Sequence, residues 1–327
     1  MLIFYCMSDI SLLMFFIAYS FKELSMWFKN LAIYRLTESF SLTPEELEEK
    51  LDAMRFKPCT GHSEFSYGWT APLGRSSEQL IHQANGFIML CATKEEKVLP
   101  ASVVNEMVAD TVSEKEEQEA RKLSKKERTD IKDEIIFELL PRAFSFSKKT
   151  YAYIDPKGGW LVVDAASAKK AEDLISFLRK NLGSLPVVPV STKEKPVSTM
   201  TQWLLKNESP ADILVEDECE LRAPEESGGI IRCKRQDLAA PEIKNHLDTG
   251  KQVIKLALSW SDRLAFVLDE NLSVKRLKFL DLIQDQVADT ESDSAEDQFD
   301  VDFTIMTKEL SGFLPRLLDL FGGENVR

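Results

Sequence analysis

One stretch of the chain, residues 113–146, restricts the fold more than any other. It contains no Gly or Pro before Pro141, and Ser113 with Glu116 has the form of a capping box at a helix N-terminus. The stretch therefore predicts one long charged helix over residues 113–140, about 40 Å long at a rise of about 1.5 Å per residue. Because its first half is almost devoid of apolar residues and its second half has apolar residues every four positions, we expect one end to pack and the other to project.

The charges of this predicted helix are sorted along its length. Acidic residues come first, where a helix N-terminus favours anions. They are followed by Arg121, Lys125, Arg128 and Lys132, whose spacing places all four on one face. Such a stripe can bind phosphate groups. A solvated helix with intrahelical ion pairs explains the same spacing, and the spacing alone favours that second interpretation.

The overall charge bears on the class of partner. The 327 residues have a net charge of −13, which superficially argues against nucleic acid. Eight of the excess negative charges come from residues 284–302, a segment without a basic residue, so the rest of the chain is much less acidic. A basic surface on an acidic protein requires only that its cations gather on one face. The sequence favours a solvating loop for the acidic segment.

Cysteine and histidine usage gives no sign of a metal site. The five cysteines are scattered, with an odd count and no CxxC pair, and the three histidines form no close pair. This pattern fits a reducing compartment such as the cytoplasm and weighs against a disulfide framework or a zinc site. We therefore expect neither a metal nor a cofactor.

No catalytic motif stands out in the sequence. It lacks GxGxxG after a strand, GxxxxGKS/T, GxSxG and HExxH. A metal-dependent nuclease of recombination stays an alternative, because such an enzyme needs only two or three carboxylates and a lysine. Asp262, Asp269 and Glu270 are candidates for those carboxylates, although their spacing does not demand it. The sequence thus favours a protein that is not an enzyme.

The first 25 residues differ from the rest. Residues 11–21 are apolar but too short to span a bilayer, and neither a basic leading region nor an A-x-A-like cleavage site accompanies them. A second methionine, Met26, directly precedes the first strand-like run. We expect residues 1–25 to be a non-native upstream extension with the true start at Met26; a membrane anchor is the less favoured alternative.

Periodicity along the remaining chain predicts an α+β fold with antiparallel or mixed sheets. Strand-like runs lie at 27–36, 86–92, 150–154, 160–164 and 253–280, and a final strand is expected at 301–305. Thr43 and Ser167 each have the form of a helix N-cap, and Gly183 that of a helix end. The predicted parts are a central α+β part (26–100 and 147–191), a projecting helical part (101–146) and a C-terminal α+β part (192–327).

Small basic clusters recur in the chain. Arg232, Lys234 and Arg235 lie within four residues, and Lys275, Arg276 and Lys278 form a similar group. Phosphate binding requires only that such groups converge in space. Each cluster by itself is more often a solvated face, and spacing cannot show convergence.

Several long strings resemble the recombination-associated protein RdgC family. They are MWFKNLAIYRL at 26–36, ANGFIMLCATKEEKVLP at 84–100, LLPRAFS at 139–145, SAKKAEDLISFLRKNLGSLPVVPVS at 167–191, GGIIRCKRQDL at 228–238, KLALSW at 255–260 and SVKRLKF at 273–279. The resemblance extends over essentially the whole chain from Met26. Residues 1–25 have no counterpart in it.

The resemblance implies a non-enzymatic function. Proteins of that family bind double-stranded DNA with little sequence preference, as a homodimeric ring whose central hole is lined with positive charge. They restrain the RecA recombinase and are associated with the nucleoid. A ring would also explain how an acidic chain binds DNA, because the basic groups would collect on its inner surface. Besides the nuclease, a second alternative to the DNA-binding ring is an interaction scaffold that binds only protein.

The resemblance also implies roles for individual residues. Arg121 and Arg235 match basic family positions, Gln236 lies beside the second, and Phe144 matches an aromatic residue at the subunit contact that must open to admit DNA. An ordinary core phenylalanine is the alternative for Phe144. The full set expected at DNA is Arg121, Lys125, Arg128, Arg232, Lys234, Arg235 and Gln236.

Overall fold

The computed structural model describes residues 26–225, 228–288 and 294–325. The strands in these residues are β1 Asn30–Leu36, β2 Phe65–Thr70, β3 Ile81–Ala84, β4 Phe87–Val98, β5 Phe144–Asp155, β6 Trp160–Val163, β7 Val187–Pro189, β8 Ile213–Arg222, β9 Ile230–Lys234, β10 Gln252–Trp260, β11 Leu264–Asp269 and β12 Val274–Phe279. The helices are α1 Pro44–Asp52, α2 Ala101–Glu119, α3 Lys125–Leu139, α4 Ala168–Leu182, α5 Pro196–Lys206, α6 Pro241–Asp248, α7 Asp281–Ala288 and α8 Ala295–Asp319.

All twelve strands join one antiparallel sheet. Its order is β2-β4-β5-β6-β1-β12-β11-β10-β8-β9, with β3 also paired to β4 and β7 to β1. The N-terminal and C-terminal halves meet where β1 pairs with β12, at Asn30 opposite Lys275 and Leu31 opposite Val274. The predicted α+β class is confirmed, and the sheet is antiparallel throughout. The division of the chain into three parts stays a prediction.

Helices cover the sheet on both faces. Strand β4 shows why, because successive side chains of a strand point to opposite faces. Met89 belongs to a large core that includes α8, whereas Leu90 belongs to a second core beneath α1 and α4. Burial on both sides makes β4 read as the continuous apolar run GFIMLCA rather than as an alternation of apolar and polar residues.

Three predicted helix boundaries are confirmed: the start of α1 at Thr43, and the start and end of α4 at Ser167 and Gly183. The Glu46 amide donates to Thr43 Oγ1 at 3.3 Å, and the Thr43 amide donates to Glu46 Oε2 at 2.9 Å, which completes the capping box. Ser167 caps α4 by accepting from the Lys170 amide at 3.3 Å. Helix α4 ends at Gly183, whose φ of +82° favours glycine.

The predicted single helix over 113–140 is wrong. The chain turns back at Ala120, which has a φ of +50°, and α3 begins at a new N-cap, Ser124, whose capping box is closed by Glu127. Ser113 lies inside α2 instead. The two helices form a hairpin with a small core of its own, made of Val112, Leu123, Ile131 and Ile135. A single helix would leave these apolar side chains in water, whereas the hairpin buries them.

The predicted strand at 301–305 is also wrong, because these residues lie inside α8. Over five residues the alternation VDFTI resembles a strand. Over a longer window, Phe299, Phe303, Met306, Leu310 and Phe313 recur at three- and four-residue spacings, and all five are buried. Of the acidic segment, residues 284–288 lie in α7 and 294–302 begin α8 or cap it, whereas 289–293 lie outside the described residues.

The helical hairpin can be tested with two serine substitutions. Ser124→Ala removes the N-cap of α3 and should cost about 1 kcal/mol of local stability. Ser113→Ala is the matched control, because an exposed serine inside a helix replaced by alanine should be neutral or slightly stabilising. Amide hydrogen exchange of α3 measures both. A larger cost for Ser113→Ala than for Ser124→Ala would contradict the hairpin.

Candidate nucleic-acid interface

Five cations from three strands converge on one face of the C-terminal half of the sheet. They line a shallow cavity of about 430 Å³. We call them the sheet cluster: Arg232 and Lys234 of β9, Lys255 of β10, and Lys275 and Arg276 of β12. Lys234 and Lys275 are 41 residues apart in the sequence. The order and pairing of the strands bring them to the same cavity, and this cannot be predicted from sequence spacing.

A backbone irregularity explains why two successive residues of β12 line the same cavity. In a regular strand, Lys275 and Arg276 would point to opposite faces. Arg276 instead has a φ of +53°, and the pairing of β11 with β12 shifts register between Ala265 and Val267. Such a bulge re-aims a side chain. It brings a second cation of β12 to the sheet cluster.

Strand register places carboxylates between these cations. Glu220 of β8 lies opposite Arg232 on one side and Lys255 on the other, and Glu218 lies opposite Lys234. Positive and negative side chains therefore alternate across neighbouring strands, and the resulting ion pairs hold the long cationic side chains in position. The ion pairs are Arg232–Glu220 at 3.2 Å, Lys255–Glu220 at 3.0 Å, Arg276–Glu218 at 2.8 Å, Lys234–Glu218 at 4.0 Å and Lys275–Asp269 at 2.8 Å.

The cations project further into solvent than the carboxylates that hold them. The side chains of Arg232 and Lys234 are 68% and 65% exposed, whereas that of Glu220 is 12% exposed. The five cations of the sheet cluster contact three carboxylates, which leaves an excess of two positive charges. The surface that a large anion would meet is therefore basic, even though the whole chain is acidic.

Glu220 stays ionised in this setting. Its partial burial raises its pKa, but hydrogen bonds from Lys255 and Arg232 outweigh that effect, and the net pKa lies below the ordinary value of 4.5. The carboxylate is therefore charged at neutral pH, and it orients two cations without neutralising the cluster.

Two of the residues expected at DNA lie in the turn after β9. Arg235 has a φ of +54° and is exposed. Gln236 donates its side-chain amide to Glu242 at 2.8 Å and lines a different cavity of about 450 Å³, together with Asp217 and Asp237. The structure thus brings Arg232 and Lys234 into one basic cavity and places Gln236 among carboxylates.

The remaining three expected residues belong to the helical hairpin. Arg121 lies in the turn between α2 and α3, where it contacts Glu119 at 2.5 Å and Glu127 at 2.6 Å. Hydrogen bonds from Arg121 and from the Ser124 backbone hold the pKa of Glu127 at about 2. Because Arg121 is outside both helices, the predicted stripe along one helix face is not formed.

A second carboxylate links the two helices of the hairpin. Glu116 of α2 accepts hydrogen bonds from Lys122 at 2.6 Å, from the Leu123 amide at 3.0 Å and from Arg128 of α3 at 2.8 Å. These bonds hold the pKa of Glu116 at about 2. Lys125, the first residue of α3, is exposed. Together with Arg121, the cations Lys122 and Arg128 therefore hold the turn of the hairpin.

Phe144 is not a core residue, because its side chain is 87% exposed. It begins β5 opposite Val98, and Phe146 lies opposite Glu96, which is in turn opposite Phe65 of β2. Paired residues share a face of the sheet, so Phe65, Val98, Phe144 and Phe146 form one exposed apolar surface, the ribbon face. Lys94 and Lys148 lie over two of its rings, at 5.3 and 4.6 Å from the centroids.

Comparison with known proteins decides the family. The family model RdgC, described as "Putative exonuclease, RdgC", matches residues 26–324. The chain belongs to the RdgC family. The resemblance inferred from the sequence strings is confirmed.

Curated RdgC relatives match the chain at nearly full length. The recombination-associated protein RdgC of Aeromonas hydrophila subsp. hydrophila is 50% identical over 91% of this chain and 99% of its own length. Proteins of the same name from Tolumonas auensis and Pseudomonas aeruginosa are each 48% identical over 92% of this chain, and cover 100% and 99% of their own lengths. These names connect the RdgC family with recombination.

Two of the three carboxylates considered for a nuclease have other partners in this RdgC chain. Asp269 contacts Lys275, and Glu270 forms a two-point pair with Arg222 at 2.9 and 2.6 Å. Within the described residues, no three His, Cys, Asp or Glu side chains are grouped as a metal ion would require. The same part of the chain contains no helix that is both long and apolar enough to cross a membrane, and residues 11–21 lie outside it.

The ion pairs of Glu116 predict a pH dependence of hairpin stability. Its folded pKa of about 2 lies below the ordinary 4.5, so its stabilising effect is present above about pH 4.5 and is lost as the pH falls towards 2. Wild type should therefore be more stable than Glu116→Gln at pH 7, and the difference should shrink at pH 3. Hydrogen exchange of α2 and α3 measures this difference.

The exposed neighbour Glu114 provides the control for that experiment. Glu114→Gln changes the same charge on the same helix and should alter stability by less than about 0.5 kcal/mol. A difference between wild type and Glu116→Gln that is equal at pH 7 and pH 3 would rule out the proposed ion pairs as its source.

Proposed function

We propose that this protein binds double-stranded DNA with little sequence preference, as a homodimeric ring that encloses the duplex, and thereby restrains RecA-dependent recombination. The convergence of the sheet cluster is the observation that supports this most strongly, since it supplies phosphate-binding groups on one face of an acidic chain. Membership of a family whose curated members are called recombination-associated gives the biological context. We place the protein in the cytoplasm, at the nucleoid.

The chemistry of the sheet cluster suits the DNA backbone rather than the bases. Arginine and lysine head groups bind phosphate oxygens, and such contacts position a protein on DNA without reading its sequence. Arg232, Lys234 and Arg276 are exposed and held from below by Glu218 and Glu220, so their head groups need little reordering on binding. Counterion release would make the affinity depend steeply on salt.

Arg235 and the hairpin extend the proposed contact. Arg235 follows Lys234 directly and is exposed, so it can reach a duplex that lies on the sheet cluster. In the hairpin, Lys125 is exposed, whereas Arg121 and Arg128 are paired with carboxylates and would have to exchange them for phosphate. We therefore expect the sheet cluster and Arg235 to contribute more than the hairpin. Gln236 would act only if it releases Glu242.

The ribbon face supports self-association. Four large apolar side chains on one exposed surface mark an interaction site on a protein surface. A two-fold contact brings the same patch of two copies together, and an apolar patch is complementary to itself. The ribbon face lies where the hairpin leaves the sheet, because Val98 precedes α2 and Phe144 follows α3. Opening of this contact would admit DNA to the ring.

Enclosure of duplex DNA accounts for the restraint of RecA. A protein that occupies the duplex without sequence preference competes for the substrate that homologous pairing requires. This explanation needs no direct contact with RecA and no catalytic step.

The family description gives a second candidate, an exonuclease. It predicts loss of duplex DNA that depends on a divalent metal, whereas an enclosing ring leaves the DNA intact. Incubating end-labelled linear duplex with the protein and Mg²⁺ separates the two. A protein-only scaffold would leave the duplex both intact and unbound.

Charge reversal at the turn after β9 tests the DNA contact. Arg235→Glu should weaken binding equally for duplexes of different sequence, and should reduce the slope of log K against log salt by about 0.9 for each phosphate that the variant no longer neutralises. Fluorescence anisotropy across a salt series measures both quantities. Lys50→Glu on α1, an exposed position away from the sheet cluster, is the charge-matched control. Unchanged affinity and slope for Arg235→Glu would remove this residue from the proposed DNA surface.

A polar substitution on the ribbon face tests the dimer contact. Phe144→Ser should weaken self-association by about 30-fold, the effect of removing an aromatic side chain that contributes about 2 kcal/mol at the centre of an interface. Sedimentation equilibrium measures this change. Leu282→Ser, at an exposed leucine of α7, is the control. An unaltered dimer together with unaltered DNA loading would count against a role for Phe144.

A further inference from the structure

Two cysteines face each other across β8 and β9, the pair of strands at one end of the sheet. Cys219 of β8 is directly opposite Cys233 of β9 in the antiparallel register. Directly opposite residues of antiparallel strands have Cα atoms about 4.5 to 5.5 Å apart, which is within the range that a disulfide spans. Both side chains lie on the same face of the sheet, since Cys219 belongs to the large core and Cys233 packs against it. The register therefore places the two thiols next to each other.

The two thiols differ in access. Cys219 belongs to the large core, and its burial raises its pKa to about 12. Cys233 is half-buried at the margin of that core, on a strand at the end of the sheet. An oxidant from solvent therefore reaches Cys233 first, and the inaccessible Cys219 is placed to react with whatever forms there.

We propose that Cys219 and Cys233 form a reversible disulfide when the protein meets a peroxide. Cys233 sulfur attacks hydrogen peroxide, an S–O bond forms as the O–O bond breaks, and one water leaves with a Cys233 sulfenic acid remaining. Cys219 sulfur then attacks Cys233 sulfur, forming the S–S bond and releasing the hydroxyl as a second water. Two thiols are oxidised, and one peroxide is reduced to two waters. A small dithiol reverses the step by thiol–disulfide exchange.

This site is one cross-strand bond and not the disulfide framework that the cysteine pattern argues against. Its consequence follows from the position of β9, which pairs only with β8 in the described strand order. Cys219 belongs to the core and Cys233 packs against it, whereas their neighbours Arg232 and Lys234 line the basic cavity, which Cys219 also borders. A bond between Cys219 and Cys233 would lock the register of β9, and with it two cations of the sheet cluster.

Mass spectrometry of the oxidised full-length chain tests the proposal. The reduced protein is treated with hydrogen peroxide, its free thiols are blocked with iodoacetamide, and it is digested without reduction. We expect a linked pair of peptides containing Cys219 and Cys233, lighter than their sum by two hydrogen atoms and absent after dithiothreitol. Hydrogen exchange of the β9 amides should slow in the oxidised protein and recover on reduction.

Single-cysteine variants assign the oxidation step to Cys233 and the disulfide-forming step to Cys219. Cys219→Ser should stop at a Cys233 sulfenic acid, which dimedone traps, whereas Cys59→Ser should retain the linked peptides. A wild-type protein in which Cys219 is alkylated while Cys233 is over-oxidised would overturn the proposal. So would links that join Cys59 or that join two copies of the chain. The wild-type result decides the matter even if a variant fails to fold.

Discussion

The pairing of β1 with β12 holds the two halves of the sheet in one surface, and the basic face depends on it. Only two residue pairs make this joint, Asn30 with Lys275 and Leu31 with Val274. It is reinforced by Asp164, which accepts from the Asn30 amide at 2.9 Å, and by the Leu277 amide, which donates to the Lys29 carbonyl. Because Lys275 lies at this joint and Arg276 forms the adjoining bulge, the joint also sets two cations of the sheet cluster.

The helical hairpin and the sheet cluster differ in how their cations are paired with carboxylates. In the helical hairpin, Glu116 and Glu127 accept strong hydrogen bonds from Lys122, Arg128 and Arg121, so these cations stabilise the turn. In the sheet cluster, the carboxylates are fewer than the cations and lie beneath them. The same residue types thus serve folding in one place and present a basic surface in the other.

The sequence predicts those features that depend on local spacing. The capping box at Thr43 and the helix from Ser167 to Gly183 follow from local rules, and they are present. Local spacing misses the hairpin because Ser113–Glu116 and Ser124–Glu127 both have the form of a capping box, and only burial of Leu123 and Ile131 in a shared core selects the second. The sequence does contain a signal for the hairpin. Val112, Leu123, Ile131 and Ile135 are apolar positions in an otherwise charged region, and they need a packing partner.

Register and strand order lie beyond what spacing can predict. Lys255 is absent from the predicted basic clusters because its neighbours in sequence are apolar, yet pairing of β10 with β8 places it opposite Glu220. The bulge at Arg276 has no sequence signature, because arginine rarely adopts a positive φ. The ribbon face likewise depends on the pairing of Val98 with Phe144, which lie 46 residues apart.

The central claim, enclosure of DNA, is tested most directly by topology. Protein covering residues 26–327 is bound to a closed circular duplex and to the same duplex cut once, and each complex is challenged with high salt and excess competitor DNA. An enclosing ring should stay on the closed circle and leave the linear form from its ends, and cutting the circle afterwards should release it. Equal and rapid loss from both forms would contradict enclosure and leave a protein that binds DNA only at its surface.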